Sequence, residues 1–210
     1  AALNSGTKVS RKLSLNAYDL LRATNRQDSG AGNDLLKDAL RRLAGTRVET
    51  NIHQGGEVHT SNFGLIDGFD VISKTDNGRI QQLQVTLSDW VFDAIENNHV
   101  LTLNRRYFQL RKPIERRLYE LARKHCGRQP RWEIKLSNLK VKAGSGSTDK
   151  EFKRMLSKVI KDNIAHSHMP DYSFELIEDK LIVRPIRTAA LTGHLAPLKP
   201  DTYDDARTHA

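Results

Sequence analysis

The chain is poor in several things at once. It has one cysteine, Cys126, in 210 residues. A single thiol excludes an internal disulfide and a four-cysteine zinc site, and it suits a reducing compartment. Aromatic residues make up only 6% and hydrophobic residues 38%. That supports a lean core, so small domains are expected rather than one thick globule. No apolar run approaches the roughly 20 residues of a membrane span. Ala1 to Ser10 lacks the basic-then-apolar layout of a secretory signal. The chain opens on Ala1 and not on Met, as expected of a fragment or a processed chain.

Nucleotide and catalytic motifs are also missing. Gly144 to Thr148 is glycine-rich, but no Gly-Lys-Ser/Thr completes a phosphate-binding loop. No acidic cluster resembles a two-metal nuclease site. His166 and His168 could form a metal pair. A rolling-circle nickase would place an apolar residue between two such histidines and a tyrosine nucleophile on a helix. Here Ser167 lies between them, and the nearby Tyr172 falls in an expected strand. Cys126 has Arg123, Lys124 and Arg128 as sequence neighbours, which would lower a thiol pKa. With no base assigned to it, the thiol is expected to be inert. These absences predict a protein that is not an enzyme and holds neither cofactor nor metal.

What the chain does have is positive charge in one place. Its net charge is +9. Residues 1–99 hold 11 Lys/Arg against 12 Asp/Glu, and residues 100–165 hold 18 against 6. Residues 166–186 hold 2 against 4, and residues 187–210 hold 3 of each. Charge kept for solubility would be spread along the chain. Concentrated charge makes a field that collects a polyanion, with nucleic acid ahead of an anionic membrane.

Periodicity organises the rest. Asn16 to Thr24 reads as a capped helix. Gln27 to Gly32 reads as a loop. A second helix is expected from Asn33 or Asp34 to Gly45, with Leu36, Ala39, Leu40 and Leu43 inward. Arg47 to Ile52 alternates as a strand, and Gln54 to Glu57 is a turn or a projecting loop. Phe63 to Ile72 and Ile80 to Leu87 read as strands joined through Asn77–Gly78. Ser88 caps a helix to about Asn97.

The pattern then restarts. Pro113 opens a helix to about His125. A short strand follows from Trp132, then a short helix from Ser137 to Lys142, then a flexible turn from Ala143 to Ser147. Thr148 and Glu151 form a capping box before a long helix to about Ile164. Tyr172 to Ile177 and Leu181 to Arg184 form a hairpin. The order predicts an α+β fold of two tandem winged-helix domains, at residues 1–110 and 111–186. Residues 187–210 are expected to form a flexible tail.

The long helix is the sharpest feature. With Phe152, Leu156, Val159 and Ile160 inward, the opposite side carries Lys150, Lys153, Arg154, Ser157, Lys158 and Lys161. A helix fits the major groove, where arginine forks onto a guanine edge and lysine mostly holds phosphate. Lys140 and Lys142 on the short helix, with Ser145 and Ser147 in the turn, are expected at the DNA backbone. Lys37 and Arg41 occupy the matching helix of the first half. Arg105, Arg106, Arg111, Lys112, Arg116, Arg117, Arg123 and Lys124 form a further basic block, of which a subset is expected to touch phosphate.

These segments together resemble a known family, the plasmid replication initiators of the RepA type, replication initiator protein A. The likeness is carried by Asn16–Thr24, Leu40–Ile52, Arg111–His125, Phe152–Leu156 and Leu198–Arg207, in that order. It implies two winged-helix domains binding repeated origin sites called iterons. It also implies distortion of an adjacent AT-rich region and recruitment of the host replicative helicase. Monomers of such initiators bind DNA, while dimers joined through the first domain are inactive in replication or repress their own promoter. The place implied is the bacterial cytoplasm, with the plasmid. A DNA-binding repressor is the alternative reading, ahead of a nickase.

Overall fold

The computed structural model describes residues 10–54, 57–73, 80–97 and 99–186. It is a mixed helix and sheet protein that divides into two compact units, Ala1–Val100 and Leu101–Ala210. The expected tail at 187–210 and the Asn77–Gly78 turn lie outside the described residues.

In the first unit, strand β1 (Lys12–Leu15) leads into helix α1 (Ala17–Ala23). The Asn16 side chain accepts hydrogen bonds from the Tyr18 and Asp19 amides, which starts α1 where the sequence predicts. Helix α2 (Gly30–Gly45) begins earlier than predicted, because Ser29 Oγ accepts from the Gly32 amide at 3.1 Å and caps the turn. A Cβ on Gly32 would sit 2.1 Å from the Gln27 carbonyl oxygen. The glycine therefore permits a close approach and does not mark a loop.

Strands β2 (Arg47–Gln54) and β3 (Glu57–Gly64) form an antiparallel hairpin of their own. Strand β4 (Ile66–Ser73) then joins β5 (Ile80–Leu87) and β1 in a sheet of order β1–β5–β4. The predicted strand over Phe63–Ile72 is thus two strands that break at Leu65. Strand β3 was not legible because Glu57 to Asn62 are all exposed and five of the six are polar, so no alternation marks them. Helix α3 (Asp89–Glu96) follows, with Ser88 capping the Val91 amide. The core is the meeting of α2 with the sheet: Leu40 packs with Ile66, Leu83 and Val85. Leu43, predicted inward, is 40% exposed.

The second unit opens with a segment expected in the first domain. Thr102 to Leu110, including a 3₁₀ turn at Arg105–Gln109, packs on the second unit's core. Buried Arg123 donates to the Thr102 carbonyl, and Leu110 is almost fully buried. The division therefore falls ten residues before the expected 110/111 boundary. Helix α4 (Pro113–His125) buries Leu118, Tyr119, Leu121 and Ala122. Strand β6 (Trp132–Lys135), helix α5 (Leu136–Lys142) and helix α6 (Asp149–His166) come next. Strands β7 (Tyr172–Ile177) and β8 (Lys180–Pro185) complete an antiparallel sheet of order β6–β8–β7. Each of these elements lies where its periodicity predicts. Phe152, Leu156, Val159 and Ile160 turn into the core, and each is expected to contribute about 1.5–3 kcal/mol by burial.

Candidate nucleic-acid interface

Helix α6 is fixed at both ends. The Thr148 hydroxyl accepts from the Glu151 amide, and the Glu151 carboxylate accepts from the Thr148 amide at 3.1 Å. The bonds that the carboxylate accepts from the Thr148 amide and the Thr148 hydroxyl hold the Glu151 carboxyl below its ordinary pKa. At the other end Ser167 closes the helix in the left-handed region, at φ 48°. Burial of one face between these caps leaves the opposite face no freedom to roll.

That face carries Lys150, Lys153, Arg154, Lys158 and Lys161, all exposed. Lys150, Arg154, Lys158 and Lys161 have no hydrogen-bonded acid among the described residues. Arg154 and Lys158 act only through space, on Glu151 and Asp162. Lys153 is partly used: its ammonium donates to the Glu178 carbonyl at 2.8 Å, tying α6 to the β7–β8 turn. Ser157 gives its proton to the Lys153 carbonyl, so its hydroxyl is not offered outward as a donor.

The turn between α5 and α6 is built, not loose. The Gly144 amide donates to Val141 O, and the Ser145 amide donates to Lys140 O, with Gly144 at φ +66°. This is a Schellman closure, which needs a residue able to take a positive φ. Ser145 and Ser147 hydroxyls bond each other at 2.9 Å. Lys140 pairs with Asp149 at 2.7 Å, while the Lys142 side chain points to solvent with no bonded partner among the described residues.

The basic block around α4 turns out to be mostly structural. Arg106 donates to Ser167 O, Arg116 to Leu110 O, and Arg117 twice to Lys142 O. Lys112 bridges Asp162 and Glu115, and Arg123 is buried. Arg105, Arg111 and Lys124 are exposed and keep no bonded partner among the described residues. Sequence could not separate the two groups, because only the fold brings the carbonyls to the guanidinium groups. In the first unit, Arg41 is exposed and Lys37 half-buried on α2, where Arg42 pairs with Asp38. The two hairpins differ too. The β7–β8 turn is short and carries Glu178 and Asp179, whereas the β2–β3 hairpin is long and carries Thr60, Ser61 and Asn62.

The residues weighed for catalysis are placed elsewhere. Tyr172 is buried and donates to the Gly127 carbonyl at 3.2 Å, and burial raises its pKa. Cys126 is buried, and desolvation pushes its thiol up, not down as its cationic neighbours in sequence suggest. His166 bonds its own helix at Asp162 O, and His168 bonds buried Glu115. Among the described residues no three His, Cys, Asp or Glu side chains converge as a metal would need. No helix among them is long and apolar enough to cross a membrane.

Comparison with known proteins adds independent findings. The family model described as Replication initiator protein A matches residues 1–174. A protein of Wigglesworthia glossinidia brevipalpis named "Putative replication protein" is 36% identical over 171 residues. That match covers 80% of this chain and 61% of the relative, so the chain spans about three fifths of that protein's length. Among solved structures, two of RctB domains 2 and 3 superpose with TM-scores of 0.59 and 0.63, at 14% and 13% identity. Each covers 83% of this chain and 75% of the other. At that identity the likeness is one of fold.

Proposed function

The chain belongs to the replication initiator protein A family, and from that premise we propose that it starts plasmid replication by binding repeated double-stranded sites, iterons, at an origin. We read each unit as a winged helix. The second supplies the reading helix α6, and the first supplies α2 with the long β2–β3 hairpin as its wing. The observation that carries this is the outer face of α6. Lys150, Arg154, Lys158 and Lys161 stand exposed without a bonded acid on a helix whose caps and core fix its orientation.

The cations have separate roles in this reading. Arg154 is the candidate base reader, since a guanidinium can fork onto a guanine edge. Lys150, Lys158 and Lys161 hold phosphates, with Lys142 beside the α5–α6 turn. Binding and deformation of the duplex supply the energy that opens an adjacent AT-rich region. The opened strand is then handed to the host replicative helicase. The protein acts in the bacterial cytoplasm without a covalent step, and a homodimer joined through the first unit withholds it from initiation.

A footprint of the purified chain on its own origin tests the reading. Evenly spaced protected repeats are expected, and a uniform ladder without protection would refute it. Lys158→Ala and Lys161→Ala should each lower the slope of log affinity against log salt by about one. A supercoiled plasmid should stay intact in the protein's presence, and nicking would bring the enzymatic alternative back.

A further inference from the structure

The stretch that joins the two units is held by the second unit almost from its start. Helix α3 ends at Glu96, and the first bond into the second unit is at Thr102, whose carbonyl accepts from buried Arg123. Five residues, 97–101, lie between those points. Two positions further on, the chain meets a polar network. The Asn104 side-chain amide donates to Asp171 Oδ1 at 2.7 Å, and the Tyr119 hydroxyl donates to Asp171 Oδ2 at 2.8 Å. The Asn104 backbone amide donates to the Tyr119 hydroxyl at 2.9 Å and closes the triangle. Tyr119 is fully buried, and burial raises its pKa, so its hydroxyl stays a donor. Beyond the triangle, Arg106 donates to the carbonyl of Ser167, the residue that closes α6, and Tyr107 donates to Glu120.

Duplex reading by α6 makes no use of Asp171. The residue stands just before β7 at φ 64°, in the left-handed region, and its own carbonyl accepts from the Ile186 amide at 2.7 Å. Such a backbone persists where the surroundings over-determine it, as a closed set of half-buried bonds does. What those bonds fix is the point at which the connector leaves the second unit. On the DNA reading above, on which this rests, we propose that Asp171 is a positioning residue for two-unit binding: through Asn104 it pins the connector to the second unit, so that the first unit reaches the same duplex on a short tether. A short tether raises the effective concentration of the second contact. Freeing the chain from Thr102 to Arg106, as far as the Tyr107 anchor, doubles the tether from the five residues 97–101 to the ten residues 97–106. The −3/2 power dependence on length makes that about a threefold loss.

Two variants test the pin. Asp171→Asn keeps the size and suits the left-handed backbone, but an amide oxygen cannot serve both donors as the carboxylate does. Asn104→Ala removes the other side of the network and lies outside the buried core. Trypsin gives the first readout, because Arg105 and Arg106 lie inside the pinned stretch. Both variants should be cut there many times faster than the parent chain, with circular dichroism unchanged. Affinity for two duplexes gives the second, one carrying the whole repeat and one trimmed to the part that α6 covers. Whole-repeat affinity should fall about threefold, while the trimmed duplex binds as before. Inserting five Gly/Ser residues after Val100 of the parent chain should give the same loss with the trypsin sites still protected. Equal loss on both duplexes would overturn the proposal, since Asp171 would then act on the fold of the reading unit. So would undiminished whole-repeat affinity, or trypsin resistance, in both variants. A parent chain that protects no origin repeats would take away the DNA reading and this role with it. One that protects them, but shows no contrast between the variants and itself, would take away this role alone.

Discussion

In the second unit the buried cluster runs from Leu110 to Val183 and takes in α4, α5, α6 and all three strands. In the first unit it contracts to Leu40, Ile66, Leu83 and Val85, with half-buried residues around them. Charge is distributed in the same uneven way. Helix α6 shows an outer face of unpaired cations, whereas α2 mixes Lys37 and Arg41 with Asp34 and Asp38. The hairpins reverse the contrast: long and polar in the first unit, short and acidic at its turn in the second. A deep core can hold a like-charged helix in place against its own repulsion. A shallow core gives less to hold with, and α2 offsets its cations internally through the Arg42–Asp38 pair. The two units thus differ in core depth, charge and hairpin length, and the proposed function gives them different work, base reading to α6 and looser contact to the β2–β3 hairpin.

That contrast can be broken first at the cores. Phe152→Ala should cost the second unit about 3–5 kcal/mol in denaturant unfolding. Leu40→Ala should cost the first unit less, because its surroundings are already partly open to solvent. Equal losses would erase the difference in depth.

The next largest effect is expected at the faces proposed to meet DNA. Arg154→Ala should relax discrimination at one base position by about 1–3 kcal/mol, measured as the ratio of affinities for matched and mismatched sites. Arg41→Ala should weaken all sequences alike. A sequence-dependent loss at Arg41 would move base reading into the first unit. Thr148→Ala should destabilise α6 by about 1 kcal/mol through the lost cap. Ser29→Ala should do the same for α2, and thermal melts of the two variants would rank the caps.

The smallest effect expected is on acid stability. The hydrogen bond from Lys112, more than any other cause, holds the Asp162 carboxyl below its ordinary pKa. A lowered folded pKa contributes stability that is present above the unfolded value and lost as pH falls through the folded one. Asp162→Asn should therefore lower the second unit's stability slightly at neutral pH, flatten the acid arm of its stability curve, and leave stability below the folded pKa nearly unchanged. A change confined to alkaline pH would contradict this assignment.

Much of the second unit was legible in the sequence because each local signal agreed with the final packing. Pro113 starts α4, the Thr148–Glu151 box starts α6, and Phe152, Leu156, Val159 and Ile160 fall on one face without help from distant residues. The first unit was less legible. Strand β3 has no periodicity to read over Glu57 to Asn62, since those residues are exposed on both faces. Ser29 and Gly32 look like loop residues until the Gln27 carbonyl is seen lying against Gly32. The expected DNA contacts divide in the same manner. Lys150, Arg154, Lys158 and Lys161 follow from helical spacing alone. Ser157 and Lys153 were drawn to backbone carbonyls that spacing does not reveal.

The chain by itself determined the caps, the amphipathic stripe of α6 and the gathering of positive charge after residue 100, because these depend on neighbours a few positions away. Only the tertiary structure decided which cations stay free and which hold the fold. It turned Arg106, Arg116, Arg117 and Arg123 onto carbonyls, and it brought the start of α4 against α6, where Lys112 pairs with Asp162. A guanidinium's partner is set by where distant backbone comes to rest, and no local pattern encodes that.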